Sequence, residues 1–231
     1  MEYLSNIELY FCSSISCDEQ TFVLENDEFR HATKVMRNKK GDKVFASDGE
    51  GKIYEGMIED IKKDNLKSKI IKTYEYKDAL KRFTFCIPNL KNPERLKFAI
   101  EKCTELGITK FILFNSKHTI SKGFNLDRLN KIVLSAMKQS LRAFLPTIEV
   151  VDSLIEFKSF VDELVLFDQF GLTKLSDYKF DENKNYLMIF GPEGGFFEKE
   201  IFELNTSTIL KLTNNRLRTE TAIIKAASII S

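Results

Sequence analysis

The chain has 231 residues, 43% hydrophobic and 30% charged, with 35 basic against 34 acidic side chains and a net charge of +1. That length holds one large domain, or a small one plus a medium one, each with its own core. No segment approaches the roughly 18 unbroken apolar residues of a membrane span, so no transmembrane helix is expected. The charge balance argues against a globally basic nucleic-acid binder but leaves local patches open.

The N-terminus, MEYLSNIELYFCSS, carries Glu2 and Glu8 and no early basic residue, unlike a secretory signal, so a cytoplasmic location is expected. Cys12, Cys17, Cys86 and Cys103 make no CxxC pair, and His31 and His118 lie far from them in sequence. Buried reduced thiols are therefore expected, and no metal site. From the start to about Tyr76 the pattern favours short strands: IELYFCS, TFVL, KVFAS, KIYEGMIEDI and LKSKIIKTYEY. The cluster Asp48, Gly49, Glu50, Gly51 supplies the positive φ angles of a hairpin between the third and fourth of these.

One helix is predicted in this part, NDEFRHATKVMR, with Asn26 capping its first turn and Phe29, Ala32, Val35 and Met36 on an apolar side. Arg30, Lys34 and Arg37 recur at helical spacing beside His31, and Asn38, Lys39 and Lys40 extend the run. Residues 30–40 hold five Lys and Arg side chains and no acidic one. Such a run is either an ordinary solvated face or a stripe that neutralises nucleic-acid phosphates.

After a charged connector near 77–81 the rhythm becomes strand, helix, strand, and a parallel α/β sheet covered by helices is predicted for 77–231, following a β-rich domain at 1–76. RFTFCIP is a strand. Asn92 and Pro93 open a helix that places Leu96, Ile100, Cys103 and Leu106 on one stripe and ends at Gly107. Strand TKFILFN follows, then a helix over about Leu126 to Ala143, strand TIEVV, helix SLIEFKSF and strand ELVLFD. YLMIF with helix FFEKEIFELN, and TILKL with helix TAIIKAASII, close the chain.

Ligands of parallel α/β sheets sit where strands end and helices begin. Phe190-Gly191-Pro192-Glu193-Gly194-Gly195 stands at such a place, and its glycines let backbone approach a ligand with no Cβ in the way. The spacing is neither the dinucleotide fingerprint nor a Walker A loop, and a tight turn without a ligand would use the same residues. The loop LTNNRLRTETA, Leu212 to Ala222, occupies the equivalent place one unit later and is more polar than a connector requires, although Thr219 or Thr221 could simply cap the next helix. On the longer predicted helix, Gln139 and Arg142 are three residues apart and can face one neighbour.

HATKVMRNKKGD, ERLKFAIEKCTELGI, KQSLRAFLP, IFGPEGGF and RLRTETA together resemble the RsmE-type methyltransferases of the SPOUT superfamily, over nearly the whole chain. Lys138 departs from the acidic residue usual before Gln139, His118 stands where an arginine is usual, and Thr213, Asn215 and Arg216 depart from the pattern usual before LRTETA.

The resemblance implies a PUA-like β-barrel followed by a trefoil-knotted α/β domain that dimerises and binds S-adenosylmethionine, with N3 of a uridine in 16S ribosomal RNA of the small subunit as methyl acceptor. It implies a cofactor wall made by Phe190, Gly191, Glu193, Gly194, Gly195, Leu212, Asn215, Leu217, Arg218, Thr219 and Thr221. RNA contacts are expected from Arg30, His31, Lys34, Arg37, Lys39, Gln139 and Arg142. For catalysis, Arg218 is expected to meet negative charge on the uracil oxygens, while Glu220 accepts the proton or holds Arg218 in place. Competing readings are a SPOUT enzyme acting on a ribose hydroxyl or another RNA, and a non-catalytic RNA-binding protein.

Overall fold

The computed structural model describes residues 4–13, 20–115, 123–152, 161–196, 204, 206 and 208–231. The chain divides into two units, Met1–Asp78 with Met137–Leu145, and Ala79–Ala136 with Pro146–Ser231. The predicted helices SLIEFKSF and FFEKEIFELN, along with Cys17 and His118, lie wholly or mostly outside the described residues.

In the first unit the period-two patterns become β1 (Leu9–Phe11), β2 (Thr21–Glu25), β3 (Lys43–Ser47), β4 (Lys52–Ile61) and β5 (Asn65–Glu75), in the order β1-β3-β4-β5-β2. Only β1 with β3 is a parallel pair. The result is the PUA-like fold implied by the resemblance, with a mixed half-barrel sheet. Phe22, Leu24, Val44, Ala46, Ile58 and Leu66 form much of its core. Gly56 is required there, because a Cβ on it would lie 2.5 Å from the Phe22 ring. The hairpin turn forms as its composition predicts. Gly49 and Gly51 have φ of 74° and 117°, and Asp48 Oδ1 accepts from the amides of Glu50 (2.8 Å) and Lys52 (3.0 Å).

The helix of this unit differs from expectation. It is α-helical only as α1 (Asn26–Arg30), and a π turn covers His31–Val35. Asn26 is not its cap: Glu25 takes the extended capping position, no side chain completes the cap, and Asn26 itself has φ 51°. The wider i→i+5 turn rotates later residues off the 3.6-residue stripe. Phe29 and Ala32 remain buried, but Val35 and Met36 are 65% and 46% exposed.

The second unit contains β6 (Phe83–Pro88), α2 (Pro93–Glu105), β7 (Lys110–Phe114), α3 (Leu126–Gln139, its last residues counted with the first unit), β8 (Thr147–Val151), β9 (Glu163–Phe167), β10 (Thr173–Lys174), β11 (Tyr186–Phe190), β12 (Thr208–Lys211) and α4 (Thr219–Ile230). All seven strands are parallel, in the order β10-β12-β9-β11-β6-β7-β8. This is the parallel α/β sheet with helices predicted for this part of the chain. Central strand β11 is buried at every position, as a parallel strand covered on both faces must be.

Helix α2 starts as read from sequence, with Asn92 Oδ1 accepting from the Glu94 amide (2.9 Å) and Pro93 at the first position. Its buried stripe of Leu96, Ala99, Ile100 and Cys103 packs on Ile223, Ala226 and Ala227 of α4. Burial pushes the thiols of Cys86 and Cys103 up, and Cys12, Cys86 and Cys103 are all buried.

Helix α3 stops at Gln139, four residues before the predicted end. Leu141 adopts φ 55°, its amide bonds the Lys138 carbonyl, and the Arg142 amide reaches back to Met137, which is a Schellman stop built without glycine. Among the described residues no helix is long and apolar enough to cross a membrane.

Candidate functional site

Strands β12, β9 and β11 are neighbours, and their parallel registers set Leu210 and Phe190 on either side of Phe167. Parallel strands point their C-terminal ends the same way, so the segments leaving these three strands emerge together. They line one cavity of about 770 Å³, with residues 167–170, 190–196 and 212–219 as walls and Arg95 and Ala222 completing it. The glycine turn and the polar loop, far apart in sequence, therefore face a common space.

The cavity's apolar base comes from Phe167 and Phe190, whose rings stack at 4.8 Å with an 18° interplanar angle. Leu212 and Leu217 add to it from the returning loop. Gly195 has φ 76°, and a Cβ placed on it would meet no atom of the described residues within 4 Å. A side chain there would enter the cavity rather than the fold. The two loops are tied directly, since Thr219 Oγ1 donates to the Gly191 carbonyl at 3.0 Å. Glu193 also serves the walls, accepting from the Lys91 amide at 3.2 Å just ahead of α2.

Of the cofactor-wall residues read from sequence, Phe190, Gly191, Glu193, Gly194, Gly195, Leu212, Asn215, Leu217, Arg218 and Thr219 line the cavity. Thr221 does not: it is exposed on the first turn of α4. Neither threonine is the helix cap, because Arg218 occupies that position without a side-chain hydrogen bond.

Arg218 is exposed at the cavity wall and has no ion pair among the described residues. Glu220 stands behind the wall, 8% exposed, with Oε1 3.5 Å from Nε of Arg95. The structure thus pairs Glu220 with Arg95 and not with Arg218, because the first turn of α4 packs toward α2 while the Arg218 side chain faces solvent. Sequence reading missed Arg95 and the segment Asp168-Gln169-Phe170. The signal for the latter was present, since strand ELVLF ends at the polar pair Asp168-Gln169 with Gly171 two residues further on, a break like the one after β11. Gly171 admits no side chain, as its Cβ would lie 2.7 Å from the backbone of Leu210 and Lys211.

The RNA-contacting candidates fall in the first unit. Arg30 bonds Asp27 (2.7 Å), and His31 Nδ1 lies 3.6 Å from Glu8, with its ring edge-on to Tyr10. Lys34 lies in the π turn and Arg37 takes φ 59° just past it, so Arg30, Lys34 and Arg37 do not share the single straight helix face expected of them. The Lys39 amide donates to Asp42 (2.7 Å), which fixes the turn that carries the last lysines of the run. Asn38 donates to the Tyr10 hydroxyl (3.2 Å), while burial pushes that phenol up to about 12.

Gln139 and Arg142 are both exposed but do not sit at helical i, i+3 spacing, because α3 has already stopped. Lys138, the departure from the family pattern, pairs with Glu28 of α1 at 2.6 Å, so an acid on one element answers the base on the other.

A family model described as RNA methyltransferase domain matches residues 78–231, and one described as RNA methyltransferase PUA domain matches residues 24–71. Ribosomal RNA small subunit methyltransferase E 1 of Borreliella burgdorferi is 31% identical, with 90% of each chain covered. Ribosomal RNA small subunit methyltransferase E of Rickettsia conorii is 29% identical over 94% of this chain and 91% of its own. In fold, the chain is similar to a ribosomal RNA small subunit methyltransferase E from Neisseria gonorrhoeae bound to S-adenosyl methionine, with TM-score 0.83, 23% identity and 96% of each chain covered.

Proposed function

We propose that this chain, which belongs to the ribosomal RNA small subunit methyltransferase E family, methylates N3 of a uridine in 16S ribosomal RNA with S-adenosylmethionine as donor. The observation that carries the reading is the convergence of the 190–196 turn and the 212–219 loop on one cavity. The residues suit the donor. A mixed site of stacked phenylalanines and bare backbone accepts an adenine and its ribose, and the open space at Gly195 leaves room for a ligand where a side chain would otherwise stand. Bound there, S-adenosylmethionine supplies an electrophilic methyl group on a sulfonium.

The protein's own part is positioning and charge. Holding acceptor and donor in line is worth roughly 7–11 kcal/mol of barrier. Phe190, Gly191, Gly194, Gly195, Leu212 and Leu217 would hold the donor mainly through backbone and apolar contact, with Glu193 and Thr219 keeping the loops in register.

Uridine N3 lies on the pairing edge and carries a proton at neutral pH, so the base must be unpaired before it can react. Arg218, unanchored at the wall, would reach the incoming base or its phosphate. Residues 1–76 would serve as the RNA-binding domain, through Arg30, His31, Lys34, Arg37 and Lys39 with Gln139 and Arg142, and residues 77–231 as the catalytic domain. A cytoplasmic homodimer follows from the same reading.

Incubating the purified chain and S-adenosylmethionine with small ribosomal subunits that lack the modification, followed by nucleoside mass spectrometry, tests this reading. A single 3-methyluridine is expected. A ribose-methylated nucleoside would assign a different SPOUT chemistry, and absence of both methylation and cofactor uptake would leave an RNA-binding protein.

A further inference from the structure

We infer that Arg95 is the cation that stabilises the uracil anion when N3 gives up its proton, and that Glu220 is the positioning residue holding it. This rests on the uridine reading above. Arg95 is the third residue of α2, whose start is fixed by the Asn92 cap and by the Lys91 amide bonded to Glu193 of the glycine turn. The side chain lines the cavity and is 37% exposed. Behind it the Glu220 side chain is buried, with one oxygen 3.5 Å from Arg95 Nε and the other buried without a hydrogen-bond partner among the described residues.

A buried carboxylate is costly unless a cation answers it, so Glu220 ties the guanidinium to this place. Guanidinium carries five N–H donors in a rigid fork. With Nε turned to Glu220, both terminal nitrogens have no hydrogen bond to any described residue. Their four N–H groups match what ionised uracil presents, a negative charge spread over N3 and its two flanking carbonyl oxygens. The proton leaves N3 for solvent, the pair stays on the ring, and Arg95 meets that charge without having to reorganise.

Arg218 differs in being exposed and unanchored, so it would lose side-chain entropy on closing over a base. The other charged groups around the cavity are Asp168, Glu193, Arg216 and Arg218. Among the described residues neither acid of this group, Asp168 or Glu193, is paired with Arg95; its ion-pair partner is Glu220.

The test uses the full chain as wild type, Arg95→Gln, Arg95→Lys and Glu220→Gln. Single-turnover methylation is followed against pH on subunits assembled with 5-fluorouridine RNA, whose more acidic N3 keeps the titration within the range where the protein is folded. Affinity for S-adenosylhomocysteine is measured by calorimetry, and folding by thermal melts.

Arg95→Gln is expected to lose about a hundredfold in rate near neutrality, and its rate to level off about two pH units higher than the wild type. Its affinity for S-adenosylhomocysteine stays unchanged. Glu220→Gln moves the plateau in the same direction by less, and Arg95→Lys recovers part of the loss. Plateaus at the same pH in wild type and Arg95→Gln would overturn the proposal, as would a loss that falls on S-adenosylhomocysteine affinity. Should Arg95→Gln fail to fold, Arg95→Lys carries the same comparison. If wild type itself yields no methylated uracil, it is the substrate reading that fails.

Discussion

Replacing Gly195 by alanine is expected to weaken S-adenosylmethionine binding far more than it weakens the fold. The backbone there has φ 76°, and a Cβ would touch no atom of the described residues within 4 Å, so no packing clash among them enters the estimate. What remains is the left-handed conformation, which costs an L-residue about 1–2 kcal/mol. Loss of glycine's freedom in the unfolded chain returns about 0.4–1 kcal/mol.

The net cost is about 1 kcal/mol, or a melting temperature about 2–4 °C lower for a chain of this size. Gly41 supplies the control: φ is 91°, the space beyond is equally open, and the residue belongs to the other unit. Gly41→Ala should melt with a similar small loss and bind S-adenosylmethionine like the wild type. In Gly195→Ala the same methyl group stands inside the cavity and displaces the ligand, so an affinity loss of at least about tenfold, or 1.4 kcal/mol, is expected. Calorimetric titration of both variants, alongside thermal melts, reads the two quantities separately. Equal affinity in Gly195→Ala and Gly41→Ala would show that the glycine turn does not touch the donor.

Two further outcomes follow from the same geometry. Arg37→Gly should make the protein more stable by about 0.5–1 kcal/mol, because glycine suits φ 59° better than arginine, yet weaken RNA binding and flatten its salt dependence. An unchanged slope of affinity against salt would return Arg37 to an ordinary surface role. For Glu163, burial raises the carboxyl pKa, but hydrogen bonds from Tyr178, Thr208 and Lys184 outweigh burial and hold it below the ordinary 4.5. A depressed carboxyl stabilises the fold above that value and loses its contribution as pH falls through the folded-state value. Glu163→Gln should therefore be less stable than wild type near neutrality, with the gap shrinking below about pH 4.5; a urea-melt gap that is constant across that range would contradict the assignment.

Much of the architecture was legible because it is written in local patterns. Alternating residues marked β2 to β5, continuous apolar runs marked β6, β9 and β11, and Asn92-Pro93 marked the start of α2. The turn at Gly191 to Gly195 and the loop at Leu212 to Thr219 were legible for a similar reason, since each breaks an apolar run with residues a plain connector does not need. Helix ends were less visible. The π turn at His31–Val35 and the early stop of α3 depend on Arg37 and Leu141 adopting positive φ, which neither residue type announces.

By itself the sequence determined the order and kind of most elements and which loops were chemically unusual, because backbone propensity and hydrophobic period act over a few residues. Tertiary structure alone decided that Arg95 faces the cavity, that Glu220 supports it instead of Arg218, that Lys138 answers Glu28, and that the 167–170 segment completes the wall. Each of those is a through-space pairing between residues far apart in the chain. A side chain's partner is set by strand order and helix packing, which no short window of sequence contains.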